Sequence, residues 1–215
     1  MSRLLAWCQA NDVPVMAHTS LSNGVTPEFQ AVAGSPYWTN ALQAFPRLRV
    51  SFGHFGNSAS VKDGLARGRA FAALMNDGGV LPGAFAYAGA GYFVEVMGRE
   101  PALLANLRRL YDETARKGGA ALANRFMYGT DWEMTLTEGS VASYLEDFVT
   151  LFEGLEARPA IRTQGLTGLS SKFFGGNAAA WAGLRRGVAT RSRLDDFYAL
   201  HGVAKPDWAE KVDKL

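Results

Sequence analysis

Arg125-Phe126-Met127-Tyr128-Gly129-Thr130-Asp131-Trp132 is an apolar run that ends in Gly-Thr and then delivers a carboxylate, followed at once by an aromatic ring. The pattern predicts a buried strand over 125–131 whose last residue leaves the hydrophobic layer carrying charge. A carboxylate buried without a partner is costly, so Asp131 needs a cation, a set of donors or a metal. Two further strand-like runs end on histidine: Val13-Pro14-Val15-Met16-Ala17-His18 and Val50-Ser51-Phe52-Gly53-His54. Function on this chain depends on those three ends converging.

Working outward, helical spacing over Ser2–Ala10 precedes the first strand, and a Ser/Asn/Gly/Pro-rich loop follows it over Thr19–Gly34. Ser35-Pro36 predicts a helix start with serine as cap, and Pro46 ends that helix. The second strand spans Leu48–His54, and Ser60 with Asp63 opens a helix to Asn76. A loop over Gly78–Gly91 leads to a third strand at Tyr92–Met97, and Pro101 opens a long helix to Lys117. Ser140–Gly154 is amphipathic, with Val141, Tyr144, Leu145, Phe148 and Leu151 on one face. The remainder is more polar and helical, with Phe173, Phe174 and Trp181 as core anchors. Alternating helices and near-continuous apolar strands predict an α/β parallel sheet covered by helices. Strand ends recur with a period in the mid-thirties, close to the roughly 31 residues per unit of an eightfold barrel. An open doubly wound sheet is the alternative, but Gly89-Ala90-Gly91 precedes a predicted strand instead of following one.

The chain has 215 residues, 48% of them hydrophobic, which suffices for one domain with a sizeable core. A net charge of +2 argues against nucleic acid as the main partner. The local cluster Arg185, Arg186, Arg191 and Arg193 is expected to be a solvated helix end. The one cysteine, Cys8, allows no intramolecular disulfide; it fits a reducing, cytoplasmic setting and a packed, inert thiol. No apolar run reaches the roughly 18–20 residues of a membrane span, and Met1–Ala10 lacks a cleavage-site pattern, so neither membrane nor export is expected.

Ligands of parallel α/β proteins bind at the carboxyl ends of the strands, where His18, His54 and Asp131 would share one mouth. Imidazoles with a carboxylate suit zinc, manganese or ferrous iron. A metal-bound water needs a nearby base, and an aspartate can both ligate and accept a proton. Each residue also has a structural use: a strand-end histidine can serve a backbone group, and Asp131 can close an Asx-turn. Two of only three histidines stand at strand ends in register with an acid, and His201 falls in the polar tail. Glu95 alternates with Phe93 and Met97, and either meets substrate at the mouth or pairs with Arg99. Trp132, Phe55, Tyr92 and Met134 would wall the mouth and suit a small organic substrate with a ring or apolar body.

Val13-Pro14-Val15-Met16-Ala17-His18-Thr19 resembles the amidohydrolase-related branch of the amidohydrolase superfamily. So do Phe45-Pro46-Arg47-Leu48 with Phe52-Gly53-His54-Phe55-Gly56, and Tyr128-Gly129-Thr130-Asp131-Trp132. Phe173-Phe174-Gly175-Gly176-Asn177-Ala178-Ala179 resembles its closing helix motif. The resemblance implies a metal-dependent (β/α)8 barrel. In it His18 is a metal ligand, His54 polarises the substrate or attacking water, and Asp131 is ligand and general base. It implies hydrolysis of amides, esters or lactones, with decarboxylation as the alternative within the branch and a non-catalytic interaction remnant as the alternative outside enzymology.

The first-strand His-x-His pair typical of that branch does not occur in this chain. The expectation is therefore the C-terminal half of a TIM barrel. Residues 1–184 form about four βα units, and residues 185–215 form a helical tail of the same domain. Four strands would leave two open edges, to be covered by a missing N-terminal half barrel or by self-association. A divalent metal, zinc before manganese or iron, would bind only weakly to this chain alone.

Overall fold

Helices separate all four strands, and a parallel sheet demands such crossovers because a short turn cannot bring the chain back to the same edge. The computed structural model describes residues 1–20, 28, 33–58, 63–75, 85–93, 101–116, 121–137 and 141–214, without the side chains of 57, 134 and 135. Its strands are β1 (Val15–His18), β2 (Val50–Gly53), β3 (Ala86–Gly89) and β4 (Phe126–Met127), paired in parallel in the order β1-β2-β3-β4. The order follows the sequence without reversal, as in a barrel and unlike a doubly wound sheet. The register pairs His18 with Gly53 and Gly89 with Met127, so the carboxyl ends share one edge.

The helices are α1 (Ser2–Ala10), α2 (Ser35–Ala44), α3 (Gly64–Met75), α4 (Pro101–Arg116), α5 (Ala121–Arg125), α6 (Trp132–Thr135) and α7 (Tyr144–Phe152). Later come α8 (Pro159–Thr163), α9 (Leu169–Ser171), α10 (Asn177–Ala182), α11 (Ala189–Leu200) and α12 (Trp208–Val212), with a π-helical turn at Lys172–Gly176. No described helix is long and apolar enough to cross a membrane. Phe52 of β2 is fully buried between Trp38 of α2 and Phe71 of α3, at ring distances of 5.5 and 5.0 Å. Phe71 also dictates Gly56, whose φ is +64°. A Cβ there would lie 2.1 Å from the Phe71 ring.

Four expectations change. A strand lies at Ala86–Gly89, within the expected glycine loop; of the strand expected at Tyr92–Met97, Tyr92 has a left-handed φ of 59° and residues 94–97 lie outside the described residues. The small side chains of Ala86, Ala88 and Gly89 carry little hydropathic signal, yet they suit a strand buried on both faces. The fourth strand shortens to two residues. The Ala- and Leu-rich stretch before it is helical, and Tyr128 N–H leaves the ladder to donate to Phe173 O at 2.9 Å. The α2 cap is Gly34, with Ser35 already helical. Arg191, expected in solvent, is 4% exposed. It donates to Leu184 O, Asp195 and Asp213 and lies over the Trp208 ring.

The edge of β4 is not bare. Met127 O accepts from Ala90 N–H on the β3 side, while Phe126 O faces outward and takes the Asn177 amide at 2.9 Å. With Phe173 O on Tyr128 N–H, the segment 173–177 occupies the outward backbone groups at β4 and just after it. On β1, at the other edge, Met16 is 67% exposed. At the opposite end of the sheet, buried Arg49 ties the first turn to the tail. It donates to Asp12 O, Trp181 O and Thr190 Oγ1 and pairs with the Asp12 carboxylate at 2.9 Å.

A second ionic clamp joins α3 to α4. Arg69 meets both Glu113 oxygens at 2.7 and 2.8 Å, and Arg109 adds 2.9 Å, which holds the Glu113 carboxyl down at about 2. A depressed carboxylate stabilises the fold above its unfolded pKa and loses that contribution as pH falls toward the folded value. Glu113→Gln should therefore be less stable than wild type at pH 7 in urea melts. The gap should narrow from about pH 5 downward and close near pH 2. A gap independent of pH would exclude the clamp as its source.

Candidate active site

His18 ends β1, and Thr19 immediately after it builds the neighbouring turn. Its buried hydroxyl donates to Gly53 O at 2.6 Å and accepts from Gly56 N–H at 3.0 Å. That turn lifts His54 off β2 with φ 60°, and Phe55 follows at 45°. Asp131 follows β4 by four residues, at φ 53°. Of five described non-glycine residues with positive φ, four (His54, Phe55, Tyr92 and Asp131) stand just beyond strand ends at this mouth. Each costs about 1–3 kcal/mol and persists only where surrounding contacts over-determine it.

The side chains converge. His54 Nδ1 lies 3.0 Å from Gly91 O and 3.9 Å from Asp131 Oδ2, and its Nε2 lies 3.1 Å from His18 Nδ1. A carbonyl can only accept, so His54 carries its proton on Nδ1 and, when neutral, turns the Nε2 lone pair toward His18. Partial burial, and then the neighbouring His54 ring, hold the His18 imidazole below its ordinary pKa, against the Ser20 backbone and Asp131. A neutral imidazole is the form that ligates a metal. Gly91 sits between the two groups: a Cβ there would be 3.5 Å from Asp131 Cβ and 3.8 Å from His54 Nδ1.

Trp132 stands open at the mouth, 65% exposed. Phe55, expected on the wall, is instead fully buried against Phe126 at 5.0 Å, because its left-handed backbone turns the ring into the core. Glu95 lies outside the described residues, as does the Met134 side chain. Among the described residues, no group of three or more His, Cys, Asp or Glu is arranged to hold a metal. The donor types fit zinc, but His18 and Asp131 alone do not close a site.

Two participants were given no role by the sequence. Thr19 reads as the start of a loop, and Tyr144 reads as one more apolar position on an amphipathic helix. Yet the Tyr144 hydroxyl reaches the backbone of both turns beside Asp131.

An amidohydrolase family model matches residues 2–184. No curated protein matches the chain. An amidohydrolase from Burkholderia multivorans, solved with bound zinc, aligns at 20% identity and a TM-score of 0.49, covering 84% of this chain and 56% of its own. A second crystal form of it, with bound HEPES, gives the same figures. A Pseudomonas putida protein provisionally named 2-pyrone-4,6-dicarboxylic acid hydrolase aligns at 17% identity and 0.48, covering 85% of this chain and 68% of its own. The chain thus spans little more than half the length of the Burkholderia protein.

Proposed function

This chain belongs to the amidohydrolase family, and on that premise we propose that it carries the reacting residues of a metal-dependent hydrolase of small amides, esters or lactones. The observation that supports the reading most is the His54 ring, which touches His18 on one side and approaches Asp131 on the other.

His18 and Asp131 are the donors to a divalent ion, zinc by donor type. Bound there, such an ion supplies Lewis-acid polarisation and acidifies a water. Asp131, half-exposed, accepts the proton of the attacking water. His54, its tautomer held by Gly91 O, turns Nε2 to His18 and lies beside Asp131, where it orients His18 and the proton-accepting carboxylate. Trp132 offers an exposed face for an apolar or ring-bearing substrate. A further strand, from a second copy or another chain, would extend the sheet beyond β1.

Two protein donors hold zinc more loosely than a closed set of three or four. Calorimetric titration of the full chain should show one weak zinc site that empties on dialysis, and neither His18→Asn nor Asp131→Asn should retain it. Binding unchanged in either variant, or stoichiometric zinc surviving dialysis, would overturn the two-donor assignment.

A further inference from the structure

Tyr144 begins α7, is 2% exposed, and packs its ring edge-on against Phe148 at 5.2 Å and near Tyr128 at 5.9 Å. A phenylalanine would satisfy that packing equally well. The hydroxyl adds three backbone contacts. It is positioned to donate to Ala90 O, by a short bond, or to Gly129 O at 3.0 Å, and it accepts from Phe93 N–H at 3.3 Å. One proton serves two carbonyls, and one lone pair serves the amide.

These contacts lie in the two turns that hold the reacting groups. Ala90 precedes Gly91, whose carbonyl accepts from His54 Nδ1–H, and Phe93 follows the left-handed Tyr92. Gly129 stands two residues before Asp131, and Tyr92 N–H donates to Thr130 O at 3.3 Å, which joins the turns directly. Burial drives the Tyr144 phenol well above its usual pKa, so it stays a neutral donor throughout the working range.

We propose that Tyr144 is a positioning residue: its hydroxyl staples the turn after β3 to the turn after β4, setting both the Gly91 carbonyl that fixes the His54 tautomer and the backbone that presents Asp131. The physical basis is that a buried hydroxyl and its partners leave costly unpaired groups when separated. Those costs hold two turns with left-handed residues in one arrangement. His54 and Asp131 are two short segments from Tyr144, so its action on them runs through backbone and not through contact with substrate.

The inference rests on the reading of His54 and Asp131 as the reacting pair, but its test needs no turnover. Nitrogen-15 NMR of the three histidines in the full chain should show wild-type His54 as a single Nδ1–H tautomer with a slowly exchanging proton. Tyr144→Phe keeps the ring and should turn His54 into a mixture of tautomers with faster exchange. Leu151→Ala, at a fully buried position two turns further along the same helix, removes apolar packing and no side-chain hydrogen bond, and serves as the control for general loosening. It should leave the His54 tautomer as in wild type. A wild-type pattern in Tyr144→Phe, or an equal change in both variants, overturns the proposal. Absence of hydrolysis in the wild-type chain, with the tautomer change still confined to Tyr144→Phe, would fault the functional reading and leave the positioning role standing.

Discussion

Asp131→Asn is expected to lower kcat/KM for esters, amides or lactones by about 10²–10⁴-fold with zinc in excess, the range for removing a general base. The substitution isolates chemistry from folding. Asparagine has nearly the same volume and, like aspartate, is among the few side chains that tolerate the left-handed region Asp131 occupies at φ 53°. The turn should survive, and thermal unfolding should shift little. What disappears is negative charge: the amide neither accepts the water proton nor donates a carboxylate oxygen to a cation. Turnover is compared with whatever the wild-type chain, or the assembly it forms, supports. A loss under about tenfold would remove Asp131 from the reacting set.

The largest effect on stability is expected at Phe173. Its ring is fully buried and lies within 5.0–5.2 Å of Phe126, Phe148, Phe152 and Phe174, with Tyr128 at 5.9 Å. It therefore bridges β4 and α7, and its own carbonyl holds Tyr128 N–H. Phe173→Ala should cost about 3–5 kcal/mol in chemical denaturation, because the surrounding rings cannot collapse into the space without moving the strand. Phe174→Ala, at a half-buried position, should cost clearly less. Equal losses would mean that the cluster is not centred on Phe173.

Much of this architecture was legible because its signals are local. The apolar runs ending in His18 and His54, and the helical spacing around them, predict strands and helices of the right kind in the right order. The α/β class followed from the same patterns, but the reason given against a glycine fingerprint did not hold: Gly89-Ala90-Gly91 ends a strand instead of preceding one, and it is the unreversed strand order that sets this sheet apart from a doubly wound one. The third strand escaped because alanine and glycine report neither period nor propensity, and only pairing with Val50 and Phe126 makes Ala86–Gly89 a strand. Arg191 escaped because charge predicts solvent, whereas here Asp195, Asp213 and a carbonyl replace it.

By itself the sequence nominated His18, His54 and Asp131, the titratable residues of three strand-end segments, from residue type and spacing. The tertiary structure decided how they meet. It set the 3.1 Å contact between two imidazoles, the Gly91 carbonyl against His54 Nδ1, the burial of Phe55, and the hydroxyl of Tyr144 lodged between two turns. The reason is one of range. Hydrophobic period acts over a few neighbours along the chain, whereas hydrogen bonds linking residues 36 to 54 positions apart are set only when the folded sheet brings their turns together.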